Sequence, residues 1–451
     1  MIQLFALHSA YGLMTAAAAL DARLLGDADE RILISMNTAA VPETAVDLAT
    51  AARFAAARAR FDRVEQLNPL VDPRHPTMWM PDEQDLPMLE RLLRRAWQLG
   101  DGPIELFVQS PQVAPARTLM ALFRDARLGV IGDGLMTYSP IRSRLPRQIT
   151  ERVASVVYPD VVPGVEPLVF AETAAERVAV PAPAFGAVLQ QIGDAQSDAA
   201  LETLHADPAR TALVIGQYLA ALGLVSAQDE VAMQVAMVDR AVDAGAERVV
   251  FKPHPAAPPA LSTALAARAA RRGAAFALYA GDQPAEYVAH RLSATDVVAG
   301  FSTALPTVRA LFGTRIHAVG AGTMLTRLTP YENSNRVPAT IVDALTRDAY
   351  AAPGRMQQLV DTVGYAMQPE IVAHLRPRAV ELLASLPASE RERYVTPPRL
   401  RALGLPGAPA PTPLQRVLEP AGGVGRLEEL RLTLAGAQRR ARRVWQAASG
   451  R

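Results

Sequence analysis

Val250-Phe251-Lys252-Pro253-His254-Pro255 is an apolar run that ends abruptly in a base, a histidine and two prolines. Arg248 through Phe251 is short and apolar, and Pro253 cannot continue a ladder of strand hydrogen bonds. The stretch therefore reads as the end of a buried parallel strand that opens into a ligand-facing loop. A histidine at that place faces a cleft. Lys252 is the only lysine of the chain, the other strongly basic side chains all being arginine. It is either a chance survivor of that coding bias or a position the bulkier guanidinium does not fit.

Working outward, the second half alternates strand and helix. The pattern predicts strand 211–215, Gly216-Gln217-Tyr218, helix 230–243, strand 248–251, helix 259–272, strand 275–279, helix 285–291 and strand 296–298. Gly300-Phe301-Ser302-Thr303, helix 304–312 and strand 316–319 follow. The first half does the same, with strand 2–7, a His8-Ser9-Ala10-Tyr11-Gly12 loop, an alanine-rich helix to about 25, strand 31–35, helix 42–60 and strand 64–67. A proline-broken stretch 68–81 leads to helix 83–99, strand 104–108, helix 115–125, strand 128–131 and Gly132-Asp133-Gly134. Such alternation is the βαβ signature of parallel sheets. The region 143–207 is irregular, with candidate strands at 155–158 and 168–171, and holds the domain junction.

The expected architecture is α/β and GT-B-type: two Rossmann-like domains whose parallel sheets face a central cleft, plus a C-terminal helical tail. The boundaries are 1–175 for an N-terminal acceptor-side domain, 176–394 for a C-terminal nucleotide-sugar domain with closing helices, 395–420 for a proline-rich linker and 421–451 for a basic amphipathic helix. Helices between about 338 and 386 pack onto the second domain and cross back to the first.

At 451 residues, half of them hydrophobic, the chain can bury cores for two ordinary domains. A net charge of +1 with few aromatics argues against a nucleic-acid partner. The absence of cysteine removes thiolate metal sites, catalytic cysteines and disulfides, and fits a reducing compartment. The N-terminus lacks the basic flank and long apolar core of a signal peptide, and no apolar run is long enough to span a bilayer, so a cytoplasmic protein is expected. Near the C-terminus an apolar stripe over 427–448 is flanked by arginines such as Arg439, Arg440, Arg442 and Arg443. It suits self-association through a helical seam, docking on the protein's own body, or an anionic membrane surface on the inner face of the plasma membrane.

Three loops sit where parallel strands place chemistry: Asp133 in the first half, and His254 and Ser302-Thr303 in the second. Asp133, flanked by glycines, can serve as general base for a hydroxyl; taken alone, the loop reads first as a tight turn with a solvated aspartate. His254 can carry positive charge beside a phosphate leaving group, and Lys252 adds fixed charge or braces the loop. Ser302 and Thr303 open a helix, where hydroxyls and free N–H groups bind phosphate or merely cap the helix. His8 ends the first strand and, with Ser9 and Gly134, is an acceptor-side candidate. His75-Pro76 is a second His-Pro pair without a clear strand end, and reads as a packed or surface loop. Asp27-Ala28-Asp29 matches an Asp-x-Asp spacing away from the strand ends, and no metal site is assigned to it.

The triple resembles the bacterial sialyltransferases, above all the α-2,8-polysialyltransferase family, whose signatures are an acidic-acidic-glycine loop, a His-Pro loop and a Ser-Ser/Thr loop. The resemblance implies that Asp133 deprotonates the acceptor hydroxyl, His254 assists departure of CMP, and Ser302 and Thr303 hold its phosphate. Gly216-Gln217 resembles the turn that opens the family's nucleotide domain, and Glu286 in Pro284-x-Glu286 a residue near the ribose. It covers about 2–312. It further implies inverting transfer from a CMP-sugar donor to a glycan or glycolipid acceptor in cell-envelope or capsule assembly, with no cofactor and no metal. One departure stands out: Gly132 occupies the first acidic position. A CDP-glycerol-type polyol-phosphate transferase shares the His-Pro and serine loops, though Gly300-Phe301-Ser302-Thr303 lacks that family's aspartate and tyrosine. A catalytically degenerate nucleotide-binding scaffold is the non-enzyme alternative.

Overall fold

A computed structural model describes residues 1–39, 46–217, 219–220, 223–254 and 260–409. Among these, two parallel sheets form. The first contains β1 (Ile2–Leu7), β2 (Glu30–Ser35), β3 (Arg63–Gln66), β4 (Ile104–Val108), β5 (Arg127–Ile131), β6 (Val153–Pro159) and β7 (Glu176–Val180), in the order β3-β2-β1-β4-β5-β6-β7. The second contains β8 (Thr211–Ile215), β9 (Arg248–Lys252), β10 (Ala275–Leu278), β11 (Asp296–Ala299) and β12 (Arg315–Ala318), in the order β10-β9-β8-β11-β12. Each order reverses direction once, between β1 and β4 and between β8 and β11. Crevices at such switch points open at the carboxyl ends of the strands. The architecture is the GT-B type.

The central strands are apolar on both faces because helices cover both sides. In β1 Phe5 stacks on Phe107 of β4 at 4.7 Å, and Gly129 of β5 leaves the room that the Phe107 ring occupies. Gln3 is the buried exception, and is satisfied by the Leu25 carbonyl at 2.6 Å, Glu105 at 2.9 Å and Arg31 at 3.1 Å. Helix Ala10–Asp21 buries Ala16, Ala17, Ala18 and Ala19 completely, small side chains that let it lie close beneath the sheet. One apolar core continues from the first sheet into the second, joined by helix Ala182–Asp194, which packs on Ala10–Asp21 and on Ala304–Phe312.

Several expectations need correction. Residues 176–180 belong to the first sheet, with Val157 paired to Val178, so the first domain runs past 175 to Val180. The described part of 42–60 is not one helix: Asp47 binds the Ala49 N–H and Thr50, and Arg58 donates to the Leu48 and Ala51 carbonyls. Those local bonds compete with helical ones and leave only short turns at Ala52–Phe54 and Ala55–Arg58. Residues 168–171 make a turn, with Phe170 at φ 55°, rather than a strand. The expected linker starts as helix Pro397–Ala402, docked by fully buried Leu400 and by Arg399 donating to the Ala366 carbonyl at 2.6 Å. The rest of the linker beyond 409, and the amphipathic segment 421–451, lie outside the described residues.

The late helices do cross back. Ser139 donates to the Ser334 carbonyl at 3.0 Å, the Glu166 N–H to Gln357 at 2.6 Å, and Arg144 to the Glu370 carbonyl at 2.7 Å. No helix among the described residues is long and apolar enough to cross a membrane.

Candidate functional site

Three strand ends of the first sheet meet at its switch point: His8 after β1, Gln109-Ser110 after β4 and Asp133 after β5. Gln109 is fully buried; its side-chain oxygen accepts from the N–H groups of His8 (2.9 Å) and Ser9 (3.2 Å), and its amide nitrogen donates to Ser9 Oγ at 2.9 Å. A Cβ on Gly12 would strike the Gln109 side chain at 2.1 Å, so the glycine gives this clamp its space. Ser110 takes a left-handed φ of 50°, and its hydroxyl lies between His8 Nε2 at 3.1 Å and Asp133 Oδ2 at 3.4 Å. The Asp133 N–H donates to Thr137 Oγ1 at 2.7 Å, which fixes the turn and leaves the carboxylate facing Ser110 and the cleft.

In the second sheet, Gly216 donates its N–H to the Lys252 carbonyl at 2.8 Å, and a Cβ there would meet Phe251 at 2.8 Å. Gln217 bridges the switch point: its side-chain oxygen accepts from the Phe301 N–H at 3.1 Å, and its own carbonyl accepts from buried Gln234 at 2.9 Å. A Cβ at Gly300 would lie 2.2 Å from that Gln217 oxygen, so a larger residue there would push the Gln217 side chain out of this bridge. The loop thus braced presents Ser302 and Thr303 at the start of helix Ala304–Phe312, with Ser302 Oγ accepting from the Ala304 N–H at 3.2 Å. His254 is largely exposed at the end of β9. The protein around it depresses its imidazole below the ordinary range, with the Glu230 carboxylate acting in the other direction. Glu230 is itself held by the N–H groups of Leu219 (2.7 Å) and Ala220 (3.1 Å).

The two sets of loops touch. Gly134 has φ +62°, and a Cβ on it would come within 2.9 Å of Thr303; the Leu135 N–H points at Thr303 Oγ1 at 3.4 Å. The loop after β5 thus touches the loop after β11 at this point. Gly134→Ala should therefore meet both left-handed strain of about 1–2 kcal/mol and a clash, lowering the midpoint of denaturant unfolding; an unchanged midpoint would show that the contact is slack. Beside it, Tyr11 buries a hydroxyl without a hydrogen-bond partner among the described residues. Burial pushes this phenol far above its usual range; the Glu286 carboxylate adds to that, the Thr307 hydroxyl opposes it, and Asp133 adds a little more. Burial likewise raises Glu286, countered by its own backbone N–H and by Lys252. Arg53 reaches across from the first domain to the carboxylate and carbonyl of Asp282.

The structure redirects some candidates. Lys252 donates to the Gly281 carbonyl at 2.8 Å and lies 5.0 Å from the centre of the Tyr279 ring, so it braces the loop after β10 instead of facing Ser302. Burial lowers its ammonium, opposed by Asp282, Glu286 and Asp198. The Ser9 hydroxyl caps helix Ala10–Asp21 through the Gly12 N–H at 3.1 Å, a structural duty. At Gly132 a Cβ would be crowded by the Val157 oxygen and Thr137 Oγ1 at 3.1 Å and by Tyr158 at 3.2 Å, so a first acidic side chain would fit only if these neighbours gave by a few tenths of an ångström. His75 packs locally against Thr77 (2.7 Å) and the Ala39 carbonyl (3.0 Å), and Asp29 takes the N-terminal ammonium. Recesses of about 470 Å³ beside His205 and His290, and about 460 Å³ beside Gly320 and Arg393, hold none of these loops.

Sequence reasoning missed Gln109, Ser110, Thr137 and Tyr11. Ser110 follows the strand predicted at 104–108, so the strand-end rule that selected Asp133 would also have reached it.

A family model described as alpha-2,8-polysialyltransferase (POLYST) matches residues 3–319. No curated protein matches the chain. Among solved structures, a sialyltransferase from Photobacterium damselae, its residues 113–497 corresponding to the GT-B domain, is 11% identical, with 76% of this chain and 96% of that chain covered at a TM-score of 0.42. Staphylococcus aureus MnaA with UDP is 11% identical, covering 81% and 95% at a TM-score of 0.41, and Acinetobacter baumannii MurG is 9% identical, covering 83% and 97% at 0.35. At such identities and scores these likenesses bear on no residue of this chain.

Proposed function

The chain belongs to the alpha-2,8-polysialyltransferase family, and on that premise we propose that it moves sialic acid or a related nonulosonic acid from a CMP-activated donor to a glycan hydroxyl, with inversion and without a metal. Membership makes it a glycosyltransferase using a nucleotide-sugar donor and a glycan acceptor. The acceptor oxygen attacks the anomeric carbon from the face opposite CMP while Asp133 takes its proton. The bond from that carbon to the phosphate oxygen breaks, and its electron pair leaves with CMP. A single departing phosphate carries modest charge, which the His254 imidazole, the hydroxyls of Ser302 and Thr303, and the positive end of the dipole of helix Ala304–Phe312 would stabilise. Gln217 keeps that loop in place, and Glu286 stands near the donor's ribose. The acceptor is a capsule or envelope glycan or glycolipid, met on the cytoplasmic face of the membrane.

The observation that carries this reading is the apposition of Gly134 and Leu135 with Thr303, which brings the loop of an acceptor base against the loop of a donor phosphate. The test is calorimetric binding of CMP, CDP, UDP and GDP to the metal-free protein, followed by CMP release from CMP-sialic acid. CMP binding with slow donor hydrolysis is expected. A preference for CDP would replace the reading with polyol-phosphate transfer, and binding of none of them would leave a scaffold.

A further inference from the structure

Resting on Asp133 as the base, we propose that Ser110 is a positioning residue that links Asp133 to His8 in a proton relay, through which the acceptor's proton leaves the cleft. Three features carry this. The Ser110 hydroxyl stands between Asp133 Oδ2 at 3.4 Å and His8 Nε2 at 3.1 Å, and each comes from a different strand end at the switch point of the first sheet. Ser110 is held at φ 50°, a conformation serine adopts only where its surroundings impose it, and that turn aims its side chain between the two partners. Buried Gln109 fixes the backbone of His8 from the adjacent position, so the spacing is built in from both sides.

The relay serves to reset the base. Asp133, Ser110 and His8 are each partly exposed beside the apposed Gly134 and Thr303 loops, and a base that keeps its proton serves one turnover, so a defined route away from Asp133 speeds its return to the charged form. The Ser110 hydroxyl has one hydrogen and two flanking acceptors when the imidazole is the Nδ1–H tautomer. Before reaction it donates to the Asp133 carboxylate. After the acceptor's proton has moved to Asp133, the carboxyl donates to Ser110 Oγ, the Ser110 proton passes to His8 Nε2, and the imidazolium releases a proton to solvent. Each oxygen ends with the protons it began with. The titratable groups facing Asp133 from the surrounding elements are Tyr11 of helix Ala10–Asp21 and, beyond it, Glu286 of helix Ala285–Arg291. The Tyr11 phenol, raised by burial, offers no competing base.

The test uses single-turnover transfer by the full chain, with Ser110→Gly, Ser110→Asn, His8→Ala and the Ser110→Gly/His8→Ala double variant. Glycine and asparagine both accept the left-handed backbone, so folding is not at stake, and asparagine restores hydrogen bonds without a transferable hydroxyl proton. Each single variant should lose about 10- to 100-fold in rate with KM unchanged, and the double variant should lose no more than either alone. The wild type should show a bowed proton inventory in mixed light and heavy water, which becomes linear in Ser110→Asn. Additive losses, or a linear wild-type inventory, would overturn the relay. Asp133→Asn separates the levels: if it still transfers, the base assignment itself has failed, whereas its inactivity together with additive Ser110 and His8 effects removes the relay alone.

Discussion

His254→Ala is expected to lower turnover by about 10²- to 10⁴-fold while the fold survives, because the side chain is largely exposed at a strand end and its removal opens no core cavity. The same change should weaken CMP binding, with a specific pH signature. In the free protein, partial desolvation by the surrounding chain depresses the imidazole below its ordinary value, so at neutral pH it is mostly uncharged. A phosphate placed beside it favours the charged form and raises the pKa again. Binding must then take up a proton at neutral pH, and CMP affinity must fall as pH rises through the pKa of the bound state. Calorimetry in buffers of different ionisation enthalpy reads that uptake directly, and His254→Ala should abolish it. Unchanged turnover in the variant would remove the histidine from the mechanism; proton uptake that persists without it would move the titrating group elsewhere.

Much of this arrangement was legible from the residues, for identifiable reasons. A parallel strand covered on both faces is a short apolar run closed by glycine, proline or a polar residue. Residues 104–108 and 211–215 therefore read true at both ends, and the loops after such strands read as sites. β7 escaped because Glu176-Arg177-Val178-Ala179-Val180 is an edge strand with only Val180 buried, which leaves no apolar pattern to see. The 42–60 stretch misled because alanine-rich composition promises a helix, whereas Asp47 and Arg58 divert the backbone into turns. Within the site, residue type and strand end were enough to single out Asp133, His254, Ser302 and Thr303 as candidates. They could not give the direction of Lys252, which depends on the Gly281 carbonyl and the Tyr279 ring, nor the Ser110 bridge, whose partner His8 is 102 positions away in the chain. Those facts exist only once the sheets have formed.

Asp133→Asn should separate donor chemistry from acceptor chemistry most cleanly. Asparagine has the shape of aspartate and can still accept from Ser110, while the turn itself is held by the Asp133 N–H on Thr137 and by Gly134 at positive φ; the loop should therefore keep its form. What disappears is the ability to take a proton. Transfer to the acceptor should fall by about 10³-fold or more, yet CMP affinity and slow hydrolysis of the CMP-sugar should persist, because His254, Ser302 and Thr303 stand on the other sheet. The glycine at 132 sharpens the expectation: the Gly132-Asp133-Gly134 loop carries no second carboxylate, so it has no substitute base. Asp133→Glu tests geometry against chemistry, for it keeps the carboxylate but displaces it by one methylene, and misplacement on the order of 1 Å can cost about 10²-fold. Transfer undiminished in Asp133→Asn would sink the base assignment. Loss of CMP binding together with transfer would mean that Asp133 holds the domains in register, and would shift its role from the reaction to the Gly134–Thr303 contact.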